Sequence, residues 1–600
     1  MPSYTPPIAD TRFVLDQVLG IDRYANLPGF ASASPDIVQA VLEEGGRFCA
    51  EVVFPTNQSG DHEGCTRHDD GSVTTPAGFK EAYRQFAEAG WMGLGAPEAF
   101  GGQAMPHVVS TAFEEFLISS NMAFGMYPGL THGAVAAFLA VGSDEQKALY
   151  LPRMIAGEWT GTMNLTEPQC GTDLGLIKTK AEPAADGTYK LTGTKIFISA
   201  GEHDLSQNII HLVLAKIPGG PEGTKGISLF IVPKFTLDAD GNPGTRNAVT
   251  CGSIEEKMGI HANSTCVMNY DGATGWLIGE ENRGLAAMFI MMNAARLGVG
   301  LQGLGIGEVA YQNAVAYAKD RRQGRALTGP AEPDQKADTL FVHPDVRRML
   351  MECKASLEAG RALMLWGALQ VDLSHHAADE AERVAADEML GLLTPVIKGY
   401  LTDLGYEIAT KAQQVFGGHG YIREYGMEQY VRDARIAMIY EGTNGVQAMD
   451  LVGRKLPRHG GKAAMALFGL ISADIAEAKA GAQADLAGKL EKALGELQAG
   501  MMWLMQNGMK DPNNAGAAAY PLMTMMGIVS LGWMWLKMAR AAQAQIDSGE
   551  GATVVDRGFL DAKLVTARFF AERMLPDVGS LRRKLEGGAE AVMALPVEAF

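Results

Sequence analysis

The sequence predicts an α+β chain in which helical domains stand on either side of an antiparallel β domain. Three observations carry that prediction. Apolar residues recur at helical spacing up to about residue 160, alternate between about 161 and 282, and return to helical spacing through the rest of the 600 residues. Helices, then strands, then helices indicate segregated layers rather than alternating β–α units. The expected divisions are an N-terminal extension and helical domain (1–160), a middle antiparallel β domain (161–282), a four-helix-type bundle (283–458) and an extra C-terminal helical domain (459–600).

Each element has a local reason. Ser34-Pro35, a capping residue followed by proline at the first helical position, starts an apolar-periodic run to Phe54. Residues 57–72, NQSGDHEGCTRHDDGS, are polar and glycine-rich and read as a loop. Helical patterns follow at 76–90, 107–123, 128–141 and 143–156, the last opened by Ser143-Asp144-Glu145. Strands are expected at 161–166, 176–183, 188–193, 195–199, 209–217, 227–235 and 264–270, with a hairpin turn at Ala185-Asp186-Gly187 and a connection at Gly219-Gly220-Pro221. Beyond Asn282 come a run from Leu285 to Lys319 rich in Met, Ala and Gly, long patterns at 344–372 and 377–416, and an Ala-rich helical region after Pro457.

Composition narrows the function. A hydrophobic share of 47% with 20% charged residues is that of a globular enzyme with ample core. A net charge of −18 disfavours nucleic acid, whose phosphates need clustered Lys and Arg, but leaves room for a phosphate-bearing cofactor held by a few cations and helix N-termini. The six cysteines never stand at Cys-x-x-Cys spacing and are expected as reduced thiols of a cytoplasmic protein, without a metal. MPSYTPPIADTRF has neither a basic nor an apolar leader region. Between Asp511 and Lys537 an uncharged stretch is long enough to cross a bilayer, yet Pro521, Gly527 and Gly532 interrupt it, so a buried helix and no membrane span is expected.

The chemistry concentrates in residues 411–455. A helix carrying Gln413 and Gln414 breaks at Gly417-Gly418, resumes near Met427 and breaks again at Glu441-Gly442, where Thr443 or Asn444 can cap a further helix. A carboxylate in a short loop beside a glycine can meet a ligand closely. Taken alone, such a glutamate is ordinarily a surface or capping residue. Its company changes that: Gln-x-x-Gly-Gly-x-Gly-Tyr, Arg-Asp-Ala-Arg and Ile-Tyr-Glu-Gly-Thr in one run resemble the acyl-CoA dehydrogenase family, and Pro-Glu-x-x-Gly-Gly at 97–102 recurs there too. The resemblance covers about residues 80–455, and the helix–strand–helix order matches that family's architecture with a C-terminal domain added.

The resemblance implies FAD, an acyl-CoA substrate and Glu441 as the base. Two further segments, GTMNLTEPQCGTD at 161–173 and KIFISAG at 195–201, resemble the family's flavin strands. By that resemblance Leu165 and Thr166 line the ring, Gly171 and Thr172 lie near the pyrimidine or phosphates, Phe197 packs on the ring and Ser199 donates near N5. Relatives more often carry Trp and Thr at the last two positions, and both replacements keep a flat hydrophobe and a hydroxyl. Arg321 and Gln323, in a segment that lacks the family's Phe, would meet the pyrophosphate of a neighbouring subunit. Gln414, Gly417 and Gly418 would approach the adenylate from another subunit, and Thr443 and Asn444 would contact FAD beside the base. Arg296, Tyr440 and Gly442 would bind substrate. The site then requires a homodimer or homotetramer, and the implied electron acceptor is electron-transferring flavoprotein.

The implied reaction removes an α-proton to Glu441 and passes a β-hydride to flavin N5, with the thioester carbonyl polarised by backbone N–H. The N-terminal extension, the added C-terminal residues and the segment DGSVTTPAGFKEAYRQFAEAGWMGLGAPEAFGGQ resemble the branch of the family that oxidises 3-(methylthio)propanoyl-CoA in dimethylsulfoniopropionate catabolism. The Met-rich MFIMMNAAR (288–296) suits either a thioether or ordinary core filling. Three alternatives remain: a dehydrogenase of straight-chain acyl-CoAs, an acyl-CoA oxidase, and a nucleic-acid-binding relative with little activity.

Overall fold

A computed structural model describes residues 2–548 and 556–600. The chain divides into two compact units, one formed by Met1–Gly46, Pro106–Ser119 and Val299–Phe600, the other by Arg47–Met105 and Ser120–Gly298.

The second unit holds the strands. Its main sheet has seven, ordered Val249–Ile254, Thr265–Leu277, Tyr189–Ser199, Lys180–Pro183, Asn208–Lys216 and Trp159–Asn164, with Ile227–Pro233 pairing both Thr265–Leu277 and Asn208–Lys216. The expected hairpin is present, Gly187 taking a φ of 82° between Lys180–Pro183 and Tyr189–Ser199. The expectation of an antiparallel domain needs correcting. Trp159–Asn164 runs parallel to Asn208–Lys216 from Trp159↔Asn208 to Asn164↔Val213. The reason is visible in NIIHLVLAK: a near-continuous apolar run is buried on both faces, which suits an interior strand with a parallel neighbour. Tyr189–Ser199 is one strand, not two, and Phe235–Leu237, Pro243–Arg246 and Val249–Ile254 were not foreseen. Part of the loop expected at 57–72 is helix Pro55–Glu63.

A polar column runs along Trp159–Asn164. Thr160 Oγ1 meets His203 Nε2 at 3.0 Å, Thr162 Oγ1 meets His211 Nδ1 at 2.7 Å, and Tyr270 Oη donates to Asn164 Oδ1 at 2.8 Å. Burial, with Lys234 nearby, pushes both histidines down, His211 to about 3. A depressed histidine stabilises the fold fully above its unfolded value of about 6.5, and that contribution is lost as pH falls through 6.5 toward 3. Between pH 7 and pH 5 the stability drop should be about 2 kcal/mol for His211. Urea unfolding of wild type and His211→Gln at both pH values checks this; equal acid sensitivity in the two would contradict it.

The first unit is helical. Pro344–His376 and Glu380–Val415 are the long bundle helices, and Pro512–Ser548 packs among them and the C-terminal helices Ala484–Gly508, Arg557–Arg573 and Asp577–Glu586. Among the described residues three helices are long and apolar enough to cross a membrane by composition, but Pro512–Ser548 has 67% of its apolar window buried within the fold, and its Trp533 and Trp535 are buried too. The N-terminal extension is tied to the same unit, where Ser3 and Asn313 exchange backbone–amide hydrogen bonds of 2.9 and 2.8 Å.

Candidate active site

In the first unit, helix Met427–Ala437 ends one turn before Glu441 and helix Asn444–Asp450 begins just after it. Thr443 is the N-cap, its hydroxyl accepting from Val446 N at 3.3 Å. Glu441 is held at φ 55° and Gly442 at 83°. A left-handed glutamate is costly, about 1 kcal/mol or more, so the surroundings must impose it. Buried Gln447 does so, donating from Nε2 to the carbonyls of Glu441 and Gly442 at 3.0 and 3.3 Å. A Cβ on Gly442 would lie 2.8 Å from that same nitrogen. The Tyr440 hydroxyl donates to Gln302 Oε1, and burial, then the neighbouring Glu441 charge, pushes the phenol well above its usual range. Tyr440 is therefore neutral and fixed beside Glu441.

Asn444 faces the other way. It is buried, accepts from Lys398 Nζ at 2.8 Å, and donates to Gly399 O at 3.0 Å and Asp403 Oδ1 at 2.7 Å. Its amide anchors the loop to helix Glu380–Val415, since a buried amide beside a buried lysine is satisfied by protein partners. Gln302, Lys398 and Gln447 were not singled out in the sequence, and only the Gln447 spacing from Glu441, one helical turn past the cap, hints at its role.

On the same unit, Gln414, Gly417 and Gly418 are exposed, and Gly417 has φ 58°. The end of helix Gly284–Asp320 lies against them, Tyr317 stacking on Phe416 at 4.1 Å and its hydroxyl meeting His419 Nδ1 at 2.8 Å. Just beyond, Arg321 and Gln323 are exposed, whereas Arg322 and Arg325 pair with Glu332 and Asp338.

The second unit gathers the other predicted residues. Thr166 O accepts from Ile196 N at 2.9 Å, which joins the 165–172 turn to the end of strand Tyr189–Ser199. There the pairing with Thr265–Leu277 slips, Cys266 opposing Ile198 and Met268 opposing Lys195. This bulge puts Phe197 at φ 58° and leaves it 58% exposed. Leu165 is buried, Thr166 and Ser199 are half-buried, and Gly171 and Thr172 are exposed. Arg296 is buried in helix Gly284–Asp320, where Met288 and Met291 fill the core. An outward-facing flat ring on strained backbone, flanked by two hydroxyls and an exposed Gly-Thr loop, fits a flavin.

Comparison with known proteins settles the family. The chain is 43% identical over 593 residues to the 3-methylmercaptopropionyl-CoA dehydrogenase of Ruegeria pomeroyi, covering 98% of this chain and 99% of that one. The chain belongs to the acyl-CoA dehydrogenase family. Family models for the acyl-CoA dehydrogenase N-terminal, middle and C-terminal domains match residues 39–158, 162–273 and 282–456, and the acetyl-CoA dehydrogenase C-terminal-like model matches 467–596. The broad-specificity linear acyl-CoA dehydrogenase of Mycobacterium tuberculosis is 35% identical over the full length of both chains. Caenorhabditis elegans ACDH-11 in complex with C11-CoA shares the fold at a TM-score of 0.78 and 20% identity, over 98% of this chain and 95% of that one. This acyl-CoA dehydrogenase is thus an FAD-dependent oxidoreductase acting on an acyl-CoA, with an added C-terminal domain.

Proposed function

We propose that this acyl-CoA dehydrogenase converts 3-(methylthio)propanoyl-CoA to 3-(methylthio)acryloyl-CoA, with Glu441 removing the α-proton. The observation that carries the substrate is the 43% identity sustained across 98% of the chain, N-terminal extension and C-terminal domain included. The linear acyl-CoA dehydrogenase of M. tuberculosis, at 35%, supports a straight-chain acyl-CoA as the second reading.

What supports Glu441 is its strained backbone in a loop braced by Gln447 and flanked by a neutral tyrosine. An α-proton is too weak an acid for a carboxylate unless the thioester carbonyl is polarised, and backbone N–H at Glu441 is the proposed donor. Arg296, Tyr440 and Gly442 would orient the acyl-CoA around that carbonyl. Leu165, Thr166, Gly171, Thr172, Phe197 and Ser199 would hold the flavin ring and exclude water from it. When bound, FAD takes up the β-hydride. Thr443 would contact FAD beside the base, while Arg321, Gln323, Gln414, Gly417 and Gly418 would hold the adenylate end of FAD from another subunit. The proposed enzyme is therefore a cytoplasmic homodimer or homotetramer that passes electrons to electron-transferring flavoprotein.

Anaerobic titration of the purified yellow protein with a panel of acyl-CoAs tests the substrate. Methylthiopropanoyl-CoA should bleach the flavin about tenfold faster than butanoyl- or palmitoyl-CoA, the size of discrimination that a pocket contact supplies. The reverse ranking would assign the chain to straight-chain substrates.

A further inference from the structure

A buried ion pair lies directly behind the residues assigned to the flavin. Lys195 is fully buried and Glu167 is 3% exposed, and Lys195 Nζ donates to Glu167 Oε1 at 2.8 Å and to the carbonyl of Leu165 at 3.0 Å. One ammonium thus bonds two residues of the turn that carries Leu165 and Thr166. It sits on the strand two residues before Phe197, at the edge of the bulge.

The carboxylate is anchored independently. Glu167 accepts from Lys178 N at 2.7 Å, Thr179 N at 3.1 Å, Thr179 Oγ1 at 2.6 Å and Gln169 Nε2 at 2.6 Å. These bonds and Lys195 hold the carboxyl down at about 2 against its own burial. The strand closes on the same point from the other side. Gly193 leaves room for Thr179, whose Oγ1 would lie 2.4 Å from a Cβ there. Removing charge from water is expensive, and a buried pair is often no more stabilising than a hydrophobic one. The pair's geometry, not its stability, is what sets it apart: one ammonium fixes the turn to the strand at the bulge.

We propose that Lys195 and Glu167 are positioning residues for the flavin, locking the 165–167 turn to the bulge so that Phe197 and Ser199 are presented in one fixed geometry. This rests on the reading of those residues as flavin-facing. A displacement of the presenting groups by about 1 Å costs about 100-fold in a reaction that depends on alignment.

The test uses the FAD-loaded enzyme in two variants. Lys195→Met with Glu167→Gln leaves no unpaired buried charge, and Lys195→Arg keeps the charge but replaces a point donor by a planar fork that cannot reach both acceptors from one atom. Visible circular dichroism of the bound flavin, FAD retention and the reduction rate per bound FAD are measured for each. The expected result is retained FAD, an altered flavin dichroism band and reduction slowed about 100-fold at saturating acyl-CoA. Should the double variant not fold, Lys195→Arg alone decides. Unchanged dichroism and a wild-type rate per bound FAD would overturn the proposal, as would a loss that disappears once rates are expressed per bound FAD. Phe197→Ala is run in parallel. If it too leaves the dichroism unchanged, the flavin-facing reading fails; if only it changes the band, the reading stands and the positioning role falls.

Discussion

Arg361→Met is expected to destabilise the helical unit by about 3–5 kcal/mol at pH 7, the cost of leaving buried carboxylates without their partner. Arg361 is 1% exposed and reaches three acids, donating to Glu115 Oε1 at 2.6 Å, to Glu308 Oε2 at 2.7 Å and to Asp10. Lys563, from the C-terminal domain, joins Asp10 to Glu358, the latter at 2.8 Å. Burial pushes Asp10 up, but Lys563 and Arg361 outweigh it and hold the carboxyl at about 2. Its contribution is therefore complete above the unfolded value of 3.8 and is lost as pH falls from there toward 2. Glu115 goes the other way, burial raising it more than Arg361 lowers it. With Arg361 gone, Glu115 should protonate readily, so the variant's deficit should shrink between pH 7 and pH 5. Chemical denaturation at the two pH values measures both effects. A midpoint unchanged from wild type at pH 7 would show that the cluster is not what joins the N-terminal extension and C-terminal domain to the bundle.

Glu441→Gln is expected to keep its FAD and to lose acyl-CoA-dependent bleaching by about 10,000-fold, the upper range for a positioned general base. The substitution keeps size and hydrogen-bonding oxygen but cannot accept the proton. The loop should survive it, because Gln447 holds the Glu441 backbone carbonyl rather than its side chain and Thr443 still caps the next helix. Rapid anaerobic mixing with saturating acyl-CoA reads the effect, and the unchanged visible spectrum of the resting variant serves as the control for bound FAD.

Much of this was legible in residues 411–455, because helix ends are written locally. Gly417 and Gly442 take the left-handed backbone that their identity permits, and Thr443 caps the helix it precedes. The middle domain was harder. Strand alternation identifies most strands but not their partners, so the parallel pairing of Trp159–Asn164 was invisible. The break expected at Thr194 split one strand into two, because a glycine followed by a polar residue reads as the end of a strand, whereas the strand runs on to Ser199. Phe197 and Glu441 were picked out by motif, yet nothing in their identity announces a positive φ. The ionic cluster lay beyond reach altogether: Asp10 and Lys563 are separated by 553 positions, and single charges carry no periodicity.

The account turns on Glu441 as the group that takes the α-proton, and hydrogen exchange isolates that step. The FAD-loaded enzyme is incubated in D2O with phenylacetyl-CoA, whose α-carbon carries protons and whose β-carbon, within the ring, has no hydride to give. Wild type should introduce deuterium at the α-carbon and Glu441→Gln should not. Exchange by the variant at the wild-type rate would remove Glu441 from the chemistry.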